Sequence, residues 1–130
     1  MEKNVVNPWK WQDNFGYAQA VEVKNNKGTL YCSGQAAMNV EGVPSNGSMR
    51  EQVELSLVNL EKVIEQAGYM PSGIVRLNLY TTSIADLFPE YGTIVTWLHK
   101  HHCTPTSTLV EVKALAFPSL TIEIEATVVS

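Results

Sequence analysis

Apolar residues recur every three or four positions between residues 48 and 68, which predicts an amphipathic α-helix. The apolar stripe consists of Val53, Leu57, Leu60, Ile64 and Ala67. Ser48 precedes the stripe and Glu51 follows three residues later, so the two predict a capping box at the start of the helix. Gly68 is placed to end the helix in a left-handed conformation. A second helix is expected to begin near Asp86, with Pro89 in its first turn, and to bury Leu87, Tyr91, Ile94 and Leu98.

Strict alternation of apolar and polar residues predicts five β-strands. They lie at residues 17–24, 29–33, 74–82, 108–115 and 121–129. In the last strand, Ile122, Ile124, Ala126 and Val128 share one face, opposite Glu123 and Glu125. Turn-forming residues at 25–28 predict that the first two strands form an antiparallel hairpin. The first fifteen residues have no clear period, which predicts an irregular N-terminal arm.

The resulting order, β-β-α-β-α-β-β, predicts an α+β fold with a mixed sheet and both helices on one face. A length of 130 residues fits one domain, residues 1–130. The helix-free face of the sheet is expected to carry Leu109, Glu111, Lys113, Glu123 and Glu125. A face that mixes apolar and charged groups is seldom left bare, so we expect it to pack against copies of the chain.

The charge balance argues against nucleic acid as a partner. Nine Lys and Arg face thirteen Asp and Glu, for a net charge of −4, and no basic run is present. No stretch reaches the roughly 18 apolar residues that a membrane span needs, so no membrane partner is expected. Two cysteines make no disulfide framework, and no apolar leader follows Met1. These features predict a cytoplasmic protein with reduced thiols.

Glu123 and Glu125 are candidates for acid–base chemistry, because residues two apart on a strand point to the same face, about 6.6 Å apart. A carboxyl group shielded from water has a raised pKa and can exchange a proton near neutral pH. The alternative is a pair of solvated carboxylates with no catalytic role. The sequence contains neither a glycine-rich phosphate loop nor a nucleophile elbow around a serine.

The end of the second predicted helix concentrates residue types that bind zinc, namely His99, His101, His102 and Cys103. Their spacing fits no known zinc site, and no second ligand pair occurs elsewhere in the chain. Positive groups are also favourable at a helix C-terminus, where the helix dipole is negative. We therefore expect no metal.

Five segments carry motifs of one known family. Gly16-Tyr17-Ala18-Gln19-Ala20-Val21 is similar to G-P-Y-S-Q-A-V, and Leu30-Tyr31-Cys32-Ser33-Gly34-Gln35 is similar to V-x-V-S-G-Q. The helix from Gln52 to Gly68, the segment from Pro105 to Leu115 and Ile122-Glu123-Ile124-Glu125-Ala126 complete the series. In this order, from Gly16 to the C-terminus, they resemble the Rid family, also called YjgF, of reactive-intermediate deaminases.

The resemblance implies a chorismate-mutase-like fold and a homotrimer whose sheets form a central barrel. It implies small-molecule pockets in the three clefts between subunits, where imines or enamines are hydrolysed without a cofactor. The residues that match the family's pocket are Tyr17, Ser33, Gly34, Gln35 and Glu123. Among them, Glu123 matches the catalytic carboxylate that positions the attacking water.

The match fails at the arginine that holds the substrate carboxylate, whose place falls on Ser107. The family's neighbouring cysteine falls on Leu109, and a pocket asparagine falls on Ile94. A guanidinium matches a carboxylate with two hydrogen bonds, whereas serine offers one neutral hydroxyl. The ligand is therefore expected to be uncharged or cationic.

Three functions fit the resemblance. The first is hydrolysis (deamination) of an imine or enamine that lacks a carboxylate. The second is a non-catalytic trimer that binds or senses a small ligand. The third is cleavage of RNA, and the acidic net charge argues against it.

Overall fold

The computed structural model describes residues 1–130 and contains six strands and three helices. The strands are β1 (Glu2–Val6), β2 (Ala20–Lys24), β3 (Thr29–Ala36), β4 (Ile74–Thr81), β5 (Thr106–Glu111) and β6 (Ile122–Val129). The helices are α1 (Met49–Gln66), α2 (Ile84–Leu87) and α3 (Tyr91–Lys100). The predicted order of elements is confirmed from β2 onward. The prediction of an irregular arm is wrong for Glu2–Val6, which forms strand β1.

Helix α1 begins and ends where the sequence predicts. The Ser48 hydroxyl accepts a hydrogen bond from the backbone amide of Glu51 at 3.2 Å, and Gly68 has φ of +81°. The Glu51 carboxylate accepts from the Ser48 hydroxyl rather than from its backbone amide. The second predicted helix is instead divided, because the segment Phe88–Glu90, which contains Pro89, forms a 3₁₀ turn between α2 and α3.

Strands β3, β6, β4 and β5 form one mixed sheet in that order. Strands β4 and β5 run parallel, whereas β6 is antiparallel to both of its neighbours. Apolar side chains of β4 and β6 pack with those of both long helices in a single core that includes Leu57, Leu60, Ile64, Leu77, Leu79, Ile94, Leu98, Ile122 and Ile124. The predicted α+β architecture, with both helices on one face of a mixed sheet, is confirmed.

The predicted hairpin between the first two strands is wrong. Strand β2 pairs with β1, and β3 pairs with β6. The chain turns away after Lys24 because the backbone of Lys27 and Gly28 exchanges hydrogen bonds with Ser130, which extends the β3–β6 ladder. Strand β2 lies instead towards β5, where the amide of Ala18 donates to the carbonyl of Pro105 at 2.8 Å.

The face assigned to β5 is also wrong. The parallel register places Leu109 beside Leu79, which is fully buried, so the odd-numbered residues of β5 lie on the helix-covered face. Leu109 packs against the core, and the Glu111 carboxylate accepts from the backbone amide of Ile84 at 2.9 Å. Lys113 lies beyond the end of β5 and is exposed. The helix-free face, which we call the open face, therefore carries Thr106, Thr108 and Val110 of β5 instead.

Gln52 ties helix α1 to the start of β6 through a buried amide. Its side chain donates to the carbonyls of Gly47 and Ser119 at 3.1 and 2.9 Å, and it accepts from the amide of Thr121 at 2.9 Å. Gln52 is only 1% exposed, so its side-chain amide bonds with these backbone groups rather than with water. Both N–H groups of the side-chain amide donate a hydrogen bond, and one of the two lone pairs of its oxygen accepts one.

We predict that Gln52→Leu lowers the free energy of unfolding by about 2–3 kcal/mol, because buried backbone groups lose their partners. Urea unfolding followed by circular dichroism measures the change. Gln66→Leu, an exposed position at the end of the same helix, is the matched control and should change stability little. A Gln52→Leu protein as stable as the native chain would contradict this role.

Candidate functional site

Two of the predicted pocket residues, Tyr17 and Ser107, line a cavity of about 180 Å³ beside strand β5. The cavity is walled by Phe15, Tyr17, Phe88, Tyr91, Ser107 and Leu109, and we call it the aromatic pocket. No charged residue lines it. The hydroxyl groups of Tyr17, Tyr91 and Ser107 are the polar groups that its lining side chains can offer a ligand.

The rings of the aromatic pocket are held by contacts with one another. Phe15 meets Tyr91 edge to face, with ring centroids 5.8 Å apart and an interplanar angle of 78°. Trp11 packs edge to face against Tyr17, with ring centroids 6.5 Å apart and an interplanar angle of 74°. Burial, and secondly the proximity of Tyr17, raises the pKa of Tyr91. The pocket thus disfavours an additional negative charge.

Gly34 and Glu123 lie elsewhere, at a second cavity of about 240 Å³ on the open face. Tyr80, Val112, Ala114, Leu115 and Glu125 complete its lining. A Cβ atom at Gly34 would overlap the Glu123 carboxylate, so this close approach requires glycine. We call this cavity the carboxylate pocket.

A β-bulge creates this close approach. Strand β3 has one residue more than β6 between the pairs Cys32–Ala126 and Gln35–Ile124, so that Ser33 and Gly34 together face a single residue. Such bulges re-aim side chains and often lie next to functional sites. Ser33 is exposed, and its carbonyl accepts from the Gln35 side chain at 3.3 Å. Neither Ser33 nor Gln35 lines either of the two pockets.

The two pockets lie on opposite faces of the sheet. Ser107 pairs with Leu77, which is buried against the helices, so Ser107 lies on the helix-covered side. Glu123 alternates with the buried residues Ile122 and Ile124, so its side chain points to the open face. Within one chain, Tyr17 and Ser107 therefore cannot meet Glu123. Ile94 is fully buried in the core and lines neither pocket.

The two glutamates on the open face differ in their hydrogen bonding. The Glu125 carboxylate accepts from the Tyr80 hydroxyl at 2.7 Å and from the Asn78 amide at 3.2 Å. These bonds, the one from Tyr80 first, hold the pKa of Glu125 below its ordinary value of 4.5, and Arg76 lowers it further. The same bond raises the pKa of Tyr80. Shielding was expected to raise the pKa of one of the two glutamates, but for Glu125 hydrogen bonding outweighs desolvation.

His101 and Cys103, at the end of α3, have separate partners. His101 lies 3.4 Å from the Glu61 carboxylate and packs against Trp97, with ring centroids 4.7 Å apart and the rings tilted by 56°, and the Trp97 indole also donates to Glu61. Cys103 is buried, and its thiol donates to the carbonyl of Pro71. Burial raises the pKa of Cys103 to about 11, so the thiol stays protonated at neutral pH.

The sequence profile of a family described as Endoribonuclease L-PSP matches residues 12–130. Among solved structures, a Rid-family protein of unknown function, YyfB from Yersinia pestis, is 33% identical over the whole of both chains, with a TM-score of 0.87. The chain belongs to the Rid family.

Two curated relatives of this Rid chain match over shorter stretches. The mitochondrial protein mmf2 of Schizosaccharomyces pombe is 35% identical over 86 residues, 66% of this chain and 65% of the relative. A 2-iminobutanoate/2-iminopropanoate deaminase of Dermatophagoides farinae is 32% identical over 80 residues, 61% of this chain and 59% of the relative. The chain thus spans less than two thirds of the length of either relative. None of its helices is long and apolar enough to cross a membrane.

Sequence reasoning missed most of the aromatic pocket and the partners of Glu125. The sequence predicts an irregular arm for Phe15 and only a buried helix face for Tyr91. Phe88 precedes Pro89, and a proline disfavours helical backbone at the residue before it. This dipeptide is therefore a sequence signal for a helix break that exposes the Phe88 ring. Tyr80 was correctly placed on the face opposite Leu77 and Leu79, but its bond to Glu125 depends on the strand register.

We predict that Tyr80→Phe raises the pKa of Glu125 towards 4.5, because the carboxylate loses its shortest hydrogen bond. Titration of carboxyl carbon shifts by NMR measures the change. Tyr31→Phe is the control, since Tyr31 is 80% exposed on the same face and makes no bond to Glu125. An unchanged Glu125 titration in Tyr80→Phe would contradict the assignment.

The hydrogen bond from Tyr80 to Glu125 also affects how the stability of the fold depends on pH. A carboxyl group whose folded pKa is lowered stabilises the fold fully above its unfolded pKa and loses that contribution as pH falls through the folded pKa. The native chain should therefore lose more stability than Tyr80→Phe on acidification below about pH 4.5.

Proposed function

We propose that the chain is one subunit of a homotrimeric, cofactor-free hydrolase that deaminates an imine or enamine in clefts between subunits. The observation that carries the proposal is the placement of the two half-sites on opposite faces of one sheet. Tyr17 and Ser107 lie on the helix-covered side, and Glu123 lies on the open side. A pocket that uses both must be built from two subunits, as the Rid motifs imply. The deaminase relative from Dermatophagoides farinae supports the reaction class.

Glu123 is suited to activate water. It takes part in none of the side-chain hydrogen bonds of the open face, whereas the neighbouring Glu125 accepts two. A carboxylate without a fixed donor can accept a proton from a water molecule held beside Gly34. Glu125 is committed to Tyr80 and Asn78, so we assign it the role of holding the strand pair and not that of a base.

The reaction converts an imine and water into a carbonyl compound and ammonia. The water oxygen forms a bond to the imine carbon while Glu123 accepts the proton that water releases. The π electrons of the imine move onto the nitrogen, which takes that proton back from Glu123 and becomes the amine of a carbinolamine. Glu123 then moves the proton of the carbinol hydroxyl to the amine nitrogen, the carbon–oxygen double bond forms, the carbon–nitrogen bond breaks and ammonia leaves. No oxidant, reductant or metal is needed for the atoms to balance.

A second candidate is a trimer that binds a small ligand without catalysis. Ser107 favours it, because a family member without the guanidinium has lost the group that holds an imino acid. Cleavage of RNA, which the family description names, is disfavoured because the chain has a net charge of −4 and the aromatic pocket has no charged lining. We also propose a cytoplasmic location, although one relative is mitochondrial.

We predict that Glu123→Gln abolishes the acceleration of 2-aminoacrylate hydrolysis by the protein and leaves the trimer intact. The change is nearly isosteric but removes the group that accepts the proton. Ammonia release from freshly generated 2-aminoacrylate measures the rate, and sedimentation equilibrium measures the mass. Glu65→Gln, at an exposed position on α1, is the control. An active Glu123→Gln trimer would make Glu123 structural, and a native protein that hydrolyses neither 2-aminoacrylate nor an imine without a carboxylate would favour the non-catalytic trimer.

We predict that Ser107→Arg improves binding of 2-ketobutyrate by about tenfold, because a charged hydrogen bond contributes roughly 1.5–3 kcal/mol and part of it is lost to an unsupported side chain. Calorimetric titration measures the affinity. Thr108→Arg adds the same charge one residue further along β5, on the other face of the sheet, and should not improve binding. Tight binding of 2-ketobutyrate to the native chain would show that another cation, such as Arg76 or Lys113, holds the carboxylate.

A further inference from the structure

The aromatic pocket has a composition that the imino-acid reaction does not explain. Four of its six lining residues are aromatic, and Leu109 adds a fifth apolar group. Phe15 and Phe88 remain 40% and 55% exposed although they are large and apolar. Exposed apolar groups that converge on one concave site mark a binding surface more often than scattered ones do. A substrate as small as 2-iminopropanoate would leave most of this aromatic surface unused.

The aromatic surface extends beyond the pocket along the N-terminal segment. Trp11 meets Tyr17 edge to face, and Trp9 stacks on Trp11 with ring centroids 6.4 Å apart. Both indoles are more than half exposed, at 57% for Trp9 and 59% for Trp11. Through Tyr17, the two indoles continue the aromatic surface of the pocket. The rings hold one another in place, so a ligand would meet preformed walls.

The size of the pocket indicates how large the bound group is. An apolar cavity of about 150 Å³ is sufficient to hold one benzene ring. The aromatic pocket, which in the proposed trimer is the part of the cleft that one subunit forms, has about 180 Å³, which is room for one six-membered ring.

The absence of charged groups in the pocket lining indicates that the ligand carries no carboxylate. The lining contains no Lys, Arg, Asp or Glu, and its polar groups are the hydroxyls of Tyr17, Tyr91 and Ser107. A carboxylate that enters would lose its water without gaining a guanidinium, which is unfavourable. A hydroxyl can donate a hydrogen bond to a neutral imine nitrogen or carbonyl oxygen.

We infer that this chain selects an uncharged imine that bears one six-membered, preferably aromatic, ring and no carboxylate. The inference rests on the proposed function for the identity of the reacting group, but the ring and charge preference belongs to the pocket itself. The ring lies between Phe15, Phe88 and Tyr91, and the reacting carbon points towards the hydroxyls. Ser107 is thus a specificity-determining residue, because a serine in place of arginine leaves this subunit's part of the cleft without a cation.

The experiment compares four stable carbonyl compounds that differ in only two properties. Acetophenone and phenylglyoxylate carry the ring, acetone and pyruvate do not, and the second member of each pair carries a carboxylate. Calorimetric titration of the native protein should give acetophenone an affinity at least tenfold higher than that of each of the other three. Stronger binding of phenylglyoxylate or pyruvate than of acetophenone would overturn the inference.

Three variants test whether acetophenone binds in the aromatic pocket. Phe88→Ala should weaken acetophenone binding about tenfold, since it removes an exposed wall of the pocket and no core contact. Phe117→Ala is the matched control, because Phe117 is 42% exposed and lies outside the pocket. Ser107→Arg should reverse the preference between acetophenone and phenylglyoxylate. Equal effects of Phe88→Ala and Phe117→Ala would contradict a site at this pocket.

The binding experiment and the activity assay can refute the ligand class and the proposed reaction separately. Selective binding of acetophenone without hydrolysis of any imine would keep the ligand class and refute the proposed reaction. Hydrolysis of 2-aminoacrylate with no preference for acetophenone would keep the reaction and refute the ligand class.

Discussion

The alternation of side chains across the sheet is the constraint on which the account depends. Residues of a strand point to opposite faces in turn, so a site residue on β5 and a site residue on β6 share a face only if the register allows it. The parallel β4–β5 pairing turns Ser107 towards the helices, whereas the antiparallel β4–β6 pairing turns Glu123 away from them. The predicted site residues are thereby divided between two surfaces, and the proposed trimer would bring the two surfaces together.

Each surface is specialised by its neighbours. On the helix-covered side, the 3₁₀ turn at Phe88–Glu90 brings Phe88 and Tyr91 to the edge of the sheet, where the N-terminal aromatic residues meet them. The result is a neutral pocket suited to a ring. On the open side, the bulge at Gly34 brings the backbone against Glu123, while Tyr80 and Asn78 engage Glu125. In the proposed function, the helix-covered side selects the ligand and the open side supplies the carboxylate.

The sequence predicted those features whose signal is local. Helix α1 follows from its period and its Ser48 cap, and strand β6 follows from strict alternation. The strand Glu2–Val6 and the partner of β2 were not predictable, because they depend on backbone hydrogen bonds between distant segments such as those of Lys27 and Ser130. The face of Leu109 depends on a parallel register that no local pattern encodes. Motif resemblance supplied Tyr17 and Glu123, but the aromatic pocket joins residues from three separate stretches of the chain, 15–17, 88–91 and 107–109.

Chemical cross-linking tests the division of the site most directly and needs no substrate. In a Ser107→Cys/Glu123→Cys double variant, the two new thiols lie on opposite faces of each sheet, and the native Cys32 and Cys103 are buried. If the site is shared between subunits, a short bifunctional maleimide should link neighbouring chains and give covalent dimers and trimers on a denaturing gel. The two single variants should not give covalent trimers. Double-variant chains that stay monomeric on the gel, although both new thiols have reacted, would contradict a site built from two subunits.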